Sequence, residues 1–331
     1  MSIVEANQLQ KSYFQVKKQP GIWGSVKGLF SREKTEVKAV QGIDLKIEPG
    51  ELVGFLGPNG AGKTTTLKML SGILYPTAGS CRVLGFNPSD RKPEMLRQIS
   101  LVMGNKNQLW WDLPAWDSFI VYREMYDIDP KVFDRRIERL LTELELTDKV
   151  NTQVRRLSLG ERMKCELVAA LIHNPRVVFL DEPTIGLDLV SQKRIREFLR
   201  DLNRDEGSTI LLTSHYMQDV QELCERVIVI DHGIVVFDGG LESLMTEYSQ
   251  SKRLRITFAS EIQAGFAQEF GEPVEQEANT VVLSVPRDQT AAITGSILQR
   301  YDVADIGIEE VSVEEVIRDL FARNKPAEQV S

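Results

Sequence analysis

Apolar positions along the chain fall into two kinds of run. Short unbroken runs read as buried strands, and runs spaced three and four apart read as amphipathic helices. Ile3 to Leu9 is the first strand signal. Val40 to Ile47 is the second, closed by the turn pair Pro49-Gly50. Glu51 to Leu56 reads as a short buried strand, and Lys63 to Leu70 as a helix ended by Gly72. Residues 93–175 are mostly helical in pattern, with helices over Asp117 to Met125, Asp134 to Leu144 and Ser158 to His173. Val177 to Leu180 is a further buried strand. Residues 191–203 predict a helix, Thr209 to Thr213 a strand, and Met217 to Leu223 a helix. Val227 to Asp231 and Ile234 to Phe237 flank Asp231-His232-Gly233, a hairpin signal. Short apolar strands alternating with helices predict an α/β fold around a mostly parallel, buried sheet. Beyond residue 240 the chain offers strands near 253–259, 279–285 and 303–310 and helices near 288–299 and 313–323, a small α+β unit. No internal repeat or low-complexity linker interrupts this order.

Residues 14–38 break the pattern. They carry six cations (Lys17, Lys18, Lys27, Arg32, Lys34, Lys38) against Glu33 and Glu36, and Ile22, Trp23, Val26, Leu29 and Phe30 recur at helical spacing. Two readings stand: a surface loop with a locally packed helix, or an amphipathic foot on a membrane surface or membrane partner.

Charge divides the chain. Residues 241–331 hold 8 Lys/Arg against 16 Asp/Glu, whereas residues 1–240 hold 32 of each. The excess acid, a net charge of −8, therefore lies in the last quarter. This argues against nucleic-acid binding through that part and places a domain change near Gly239-Gly240. The expected organisation is a domain over 1–240 and an acidic accessory domain over 241–331. At 331 residues, with 42% apolar and 27% charged side chains, the composition is that of a globular two-domain chain. No apolar run reaches the ~18 residues of a membrane span, and the N-terminus lacks the basic start and apolar core of a secretory signal. Three scattered cysteines (Cys81, Cys165, Cys224) form no disulfide framework or zinc pattern, and a cytosolic setting is expected.

The strongest chemical motif is Gly57-Pro58-Asn59-Gly60-Ala61-Gly62-Lys63-Thr64, followed by Thr65. It matches G-x-x-x-x-G-K-[ST] and lies between an apolar strand and a helix start, as the motif requires. Glycines let successive backbone N–H groups converge on phosphate oxygens, and the helix dipole adds favourable potential. Lys63 would reach the β and γ phosphates of a nucleotide, and the Thr64 hydroxyl would ligate Mg²⁺. Val177 to Leu180 then runs into two adjacent carboxylates, Asp181 and Glu182. Strand C-terminal ends of a parallel sheet face the ligand crevice. Asp181 would hold the metal and Glu182 would act on the attacking water as general base. The gap between Lys63 and Asp181 exceeds one βαβ crossover, so a helical insertion must fill it. Leu157-Ser158-Leu159-Gly160-Glu161-Arg162 opens a long helix there, with Ser158 as its cap and further N–H groups left for an anion.

This ordered set resembles the nucleotide-binding subunit of ATP-binding cassette (ABC) proteins, over about residues 1–240. Gly57–Thr65 is similar to the Walker A loop, Val177–Glu182 to Walker B, Leu157–Glu161 to the signature sequence and Ile185–Asp188 to the D-loop. The whole is most similar to the ATPases of ABC-2-type exporters, the branch that includes daunorubicin-resistance-like proteins. The resemblance implies a P-loop NTPase with a RecA-like core sheet and a helical subdomain at about 105–172. It implies ATP and Mg²⁺ as ligands, a second ATPase subunit (here a homodimer) and a separate membrane permease. The chain would then sit peripherally on the cytoplasmic face of the membrane and drive export of a drug-, lipid- or glycan-like substrate. The alternative reading is an ATP-gated soluble ABC protein, regulatory or mechanical, without a transport role.

The same resemblance supplies further site residues. His215 corresponds to the switch histidine, Asp188 to the D-loop acid, and Ser158, Gly160 and Glu161 to the signature positions that would meet the ATP of the other subunit. Tyr13 is either the adenine-stacking aromatic or a strand-edge packing residue. Two positions depart from the family pattern. Leu159 and Glu161 stand where glycine and glutamine are usual, and Glu161 brings an acid near the expected phosphate unless Arg162 or Lys164 offsets it. In the Q-loop, Asn105 stands where glutamine is expected, with Gln108 three residues later; either amide could serve the metal and water. Trp110, Trp111 and Trp116 cluster beside it, as a socket for the permease or as internal packing of the subdomain. His173 and His232 read as structural or exposed.

Overall fold

The computed structural model describes residues 2–16, 34–104, 106–214, 216–248, 251–260, 262 and 265–323. These form two compact units, Met1–Gly239 and Gly240–Ser331.

The first unit is organised by a six-stranded sheet. Its strands are β3 (Leu52–Leu56), β5 (Ile99–Met103), β6 (Val177–Asp181), β7 (Thr209–Thr213), β8 (Arg226–Asp231) and β9 (Ile234–Gly240), in the spatial order β5-β6-β7-β3-β8-β9. The first five run parallel. Every residue of β6 and β7 is buried, which is why these segments read as unbroken apolar runs rather than alternating ones. The register pairs Asp181 with Thr213 and with Met103, so three strand ends finish level at one edge. β8 turns into β9 through His232 (φ 46°) and Gly233 (φ 79°), the two positive-φ positions that a type I′ hairpin turn needs.

A second, antiparallel sheet of β1 (Val4–Val16), β2 (Lys34–Ile47) and β4 (Ala78–Val83) has the order β2-β1-β4. It shares one core with the larger sheet and with helix α1 (Lys63–Leu70), through Leu9, Ile43 and Ile47 against Phe55, Met69 and Phe179. Sequence reading ends β1 at Leu9 and starts β2 at Val40. The structure carries the pair on to Val16 opposite Lys34 through Lys, Ser and Thr positions that bury little. Segment 14–38 thus begins and ends in strand, while the helical reading of Ile22 to Phe30 lies outside the described residues. β4 and β5 escape the pattern for opposite reasons. β4 is Gly-Ser-Cys-Arg in its middle, and β5 is a five-residue segment, apolar at all but Ser100, that periodicity cannot tell from a helical turn.

Helices α2 (Ala115–Met125), α3 (Pro130–Glu143) and α4 (Leu159–Leu171) lie between β5 and β6 in sequence. α3 buries Phe133, Ile137, Leu140 and Leu141, one face at helical spacing. Asp129 caps it by accepting from Lys131 N and Val132 N, with Pro130 in the first turn. Arg136 of α3 reaches Glu206 at 2.9 Å, both side chains mostly buried. Helices α5 (Leu189–Glu206) and α6 (Met217–Leu223) complete the unit.

His173, just past α4, stacks on Tyr126 with ring centroids 3.8 Å apart and meets the Ile99 carbonyl through Nε2. Burial lowers its pKa to about 4, with Arg136 adding to the effect. In the unfolded chain it titrates near 6.5, so the unfolded state binds the extra proton first. Folded stability is therefore expected to fall as pH drops from about 6.5 towards 4, by up to ~3 kcal/mol. Thermal unfolding at pH 7.5 and pH 5 should show a smaller drop in His173→Phe than in the wild type. Equal drops would remove His173 as the cause.

The second unit is a four-stranded antiparallel sheet of β10 (Ser251–Phe258), β11 (Glu272–Glu277), β12 (Thr280–Pro286) and β13 (Val303–Glu310), in the order β11-β12-β10-β13. Alternate residues Leu254, Ile256 and Phe258, with Val281, Leu283 and Val285, form its core with Phe266, Phe270 and Ile297. Its helices are α7 (Leu241–Tyr248), α8 (Phe266–Phe270), α9 (Thr290–Arg300) and α10 (Val313–Arg323). α7, α8 and β11 go beyond the sequence reading. β11 is exposed at every residue and so carries no apolar signal.

Candidate functional site

The level strand ends place the chemistry. Between β3 and α1 the chain folds as a tight loop in which Gly60 and Gly62 take φ of 83° and 105°. Gly62 is the N-cap of α1, and a Cβ there would come within 2.5 Å of the Ala39 carbonyl, so both conformation and space demand glycine. Lys63 is only 5% exposed, and its ammonium donates to the Gly57 carbonyl at 2.6 Å and the Pro58 carbonyl at 3.1 Å. Burial lowers its pKa, while the carboxylates of Glu182 and Asp181 pull it back up. A pocket of ≈ 250 Å³ opens over the loop, lined by Ala39, Asn59, Gly60, Lys63, Thr64, Thr65 and Glu182 among others. A wider cleft of ≈ 600 Å³ near Ile3, Arg82 and Arg176 contains none of the motif residues.

Asp181 accepts from the Thr64 hydroxyl through Oδ2 at 2.7 Å and from the Thr213 hydroxyl through Oδ1 at 2.8 Å. Thr213 Oγ1 also accepts from Glu182 N at 3.1 Å. Sequence reading missed Thr213; its signal was the last position of a buried strand, opposite Asp181 in register. Glu182 has φ 57°, a left-handed conformation that costs a non-glycine residue on the order of 1 kcal/mol or more and recurs at functional sites. Lys63, Thr64, Asp181 and Glu182 are thus brought together around one opening.

The Q-loop and signature candidates divide. Asn105 and His215 lie outside the described residues. The neighbour of Asn105, Gly104, donates its N–H to the Asp181 carbonyl at 2.8 Å. Gln108 has its side-chain nitrogen on the Leu101 carbonyl at 2.7 Å, and its backbone N–H donates to the buried carboxylate of Glu166 at 2.9 Å. Glu166, also unrecognised from sequence, takes the Leu109 N–H as well and so ties α4 to the segment before the tryptophans. Burial raises its pKa.

At the start of α4, Ser158 and Glu161 form a capping box. Ser158 Oγ accepts from Glu161 N at 3.2 Å, and Ser158 N donates to Glu161 Oε2 at 2.9 Å. The other carboxylate oxygen meets Lys149 Nζ at 3.0 Å. Both bonds hold the Glu161 carboxyl below its ordinary range, the Ser158 amide first. The expected partners are therefore corrected. Arg162 lies over the Trp111 ring at 5.2 Å and Lys164 is buried, while Lys149, distant in sequence, carries the compensating charge. A Cβ on Gly160 would come 2.3 Å from Ser191 Oγ, so this glycine is fixed by the close approach of α5, whereas Leu159 is 38% exposed and has room. Asp188 caps α5 by accepting from Ser191 N at 2.9 Å and Ser191 Oγ at 2.8 Å.

The tryptophans separate. Trp116 packs edge-on against Phe133, while Trp110 and Trp111 stand about half exposed beside exposed Leu113. Tyr13, opposite Val37 in β1, is 38% exposed and has Lys11 Nζ 5.4 Å from its ring centroid.

The family model described as "ABC transporter" matches residues 40–185, and that described as "EvrA-like ABC transporter, C-terminal domain" matches residues 250–309. The chain is 38% identical over 238 residues to the ABC transporter ATP-binding protein NatA of Bacillus subtilis, covering 72% of this chain and 96% of that protein. It is 36% identical to the Nod factor export ATP-binding protein I of Cupriavidus pinatubonensis over 60% of this chain and 61% of that one. Among solved structures, it resembles a dimeric ATP-binding cassette in a post-hydrolysis state bound to ADP and Pi. That match has a TM-score of 0.60 and 23% identity over 72% of this chain and 98% of the other.

Proposed function

We propose that this chain, which belongs to the ATP-binding proteins of ABC transporters, is an ATPase subunit that drives a separate membrane permease, most simply an exporter. The observation that carries the reading is the convergence of Lys63, Thr64, Asp181 and Glu182, with Thr64 Oγ1 2.7 Å from Asp181. The phosphate chain of ATP would lie over Gly57–Thr65, its oxygens held by backbone N–H groups and by the ammonium of Lys63. Thr64 and Asp181 supply the hard oxygen donors that suit Mg²⁺, with Asn105 as a further candidate. Bound there, the ion would offset the negative charge of the phosphates. Glu182 accepts the proton of the attacking water as it adds to the γ-phosphorus, and ADP leaves.

Ser158 and Gly160 of a second copy would complete the site from the other side. Its Glu161 charge is already taken up by Lys149 of the same subunit. Tyr13 would stack on the adenine, His215 would meet the γ-phosphate, and Asp188 would lie at the seam between copies. Gln108 gives Nε2 to the Leu101 carbonyl, which steadies the segment before the tryptophans, so its Oε1 is the atom that would serve the metal or water. Residues 241–331 are an accessory domain on this reading. Among the described residues no helix is long and apolar enough to cross a membrane, so attachment to the cytoplasmic face would come through the permease.

Exposed Trp110, Trp111 and Leu113 form the apolar patch best suited to receive that permease. The tagged protein extracted from its native membrane in mild detergent with Mg-ATP should bring down a multi-span membrane protein in about equal amount. Trp110→Ala with Trp111→Ala should cut that recovery at least tenfold while leaving ATP binding unchanged. Recovery of only soluble partners would overturn the transporter reading, and full recovery with the double variant would move the docking surface elsewhere.

A further inference from the structure

Asp219, in the first turn of α6, is 1% exposed and has had no part in the chemistry so far. Its carboxylate has three partners from three separate segments. Oδ2 accepts from the Thr184 hydroxyl and, at 2.7 Å, from the Ser214 hydroxyl. Oδ1 accepts from Arg196 Nη1 of α5 at 3.0 Å, and Arg196, 3% exposed, also meets Glu222 through Nε at 3.1 Å. A surface helix needs no such arrangement, and a sealed carboxylate is retained only where all its bonds are made.

The positions of these partners give the arrangement its meaning. Thr184 lies two residues past Glu182. Ser214 and Tyr216 bracket His215, and Ser214 Oγ accepts from Tyr216 N at 3.0 Å. One carboxylate therefore ties the turn after β6 to the turn after β7. Glu182 sits between two anchors: its N–H is held by Thr213, and the chain just beyond it is held by Thr184 on Asp219. A left-handed glutamate persists only where its surroundings over-determine it, and these two anchors do so.

We propose that Asp219 is a positioning residue, which holds the Glu182–Thr184 turn and the residues flanking His215 in one register so that the Glu182 carboxylate faces the water it deprotonates. The proposal rests on Glu182 being the general base. Asp219→Asn replaces an oxygen that must accept two hydroxyl protons with an amide that also donates. Thr184→Val removes the bond nearest Glu182 and leaves the Arg196–Asp219 pair intact, so it serves where Asp219→Asn folds poorly.

The expected result is a fall in kcat of about 10- to 100-fold in either variant, the scale of an ångström-sized misplacement, with KM and Kd for Mg-ATP within about twofold of wild type. In single-turnover assays with excess protein, adding Thr184→Val to Glu182→Gln should cost nothing further, since the group being positioned is already gone. Wild-type kcat in both variants, a parallel loss of kcat and ATP affinity, or a full additional loss on top of Glu182→Gln would each overturn the proposal. Should Glu182→Gln itself turn over normally, the general-base reading falls and this one with it. A dead Glu182→Gln beside fully active Asp219→Asn and Thr184→Val sinks the positioning role alone.

Discussion

Glu182→Gln is expected to lose at least ~100-fold in ATP turnover while binding Mg-ATP as tightly as the wild type. The substitution keeps the side chain's length and removes only its capacity to take a proton. Glu182 stands at the end of a fully buried strand, in a left-handed conformation anchored by Thr213, and lines the pocket over the phosphate loop. The amide keeps the shape of the carboxylate, and the phosphates would be held by the loop's own N–H groups and Lys63, so affinity should stay. With hydrolysis blocked, two copies should remain closed on trapped ATP. Phosphate release and equilibrium ATP binding test the first statement, and light scattering with and without Mg-ATP tests the second. Turnover within threefold of wild type would remove Glu182 as the base. A monomer at saturating Mg-ATP would count against closure of the isolated pair and leave it to the permease-bound complex.

The second large effect is expected at Lys63. Its ammonium is buried and rests on the Gly57 and Pro58 carbonyls, already aimed along the loop that the phosphates would occupy. A charge-assisted bond to a phosphate in a partly desolvated site is among the stronger polar interactions. Lys63→Ala should therefore weaken Mg-ATP binding by ~100-fold or more. It also leaves Asp181 and Glu182 without the nearby cation that both interact with, so Mg-ATP should no longer raise the unfolding temperature as it does for the wild type. Calorimetric titration beside thermal unfolding separates the two effects. A Kd within threefold of wild type would mean that the loop does not hold phosphate.

Much of this site is legible in the sequence because its key groups are local. Gly57 to Thr64 is one unbroken motif between a strand and a helix, and Asp181-Glu182 ends an apolar run that can only be buried. What is not legible depends on partners far along the chain. Lys149 meets Glu161, Gln108 meets Glu166, and Asp219 meets Thr184, Ser214 and Arg196; in each case several side chains of suitable chemistry competed for the role, and folding chose. Of the two cations adjacent in sequence that could offset Glu161, Arg162 lies over the Trp111 ring and Lys164 is buried, and the more distant Lys149 meets the carboxylate. Secondary structure shows the same division. Helix Lys63–Leu70 and strand Thr209–Thr213 have the bounds read from the sequence, while β4 and β11 bury too little apolar surface to announce themselves.

The β11 strand has a consequence for how the second unit behaves in a crowded solution. It is an outer strand of its sheet and carries Glu272, Glu275 and Glu277 with Pro273, and a register shift falls between Pro273 and Glu275. The opposite outer strand, β13, carries Asp305, Glu309 and Glu310. An open strand flank is a template on which another chain can stack and seed fibres. Here a proline removes a donor, an irregularity bends the β11 flank and its three glutamates repel their like, while on β13 Glu309 and Glu310 are matched by Arg255, Lys252 and Arg287. Part of the acid of the last quarter of the chain, the glutamates of β11, thus sits where it keeps neighbouring copies from zipping together through this sheet.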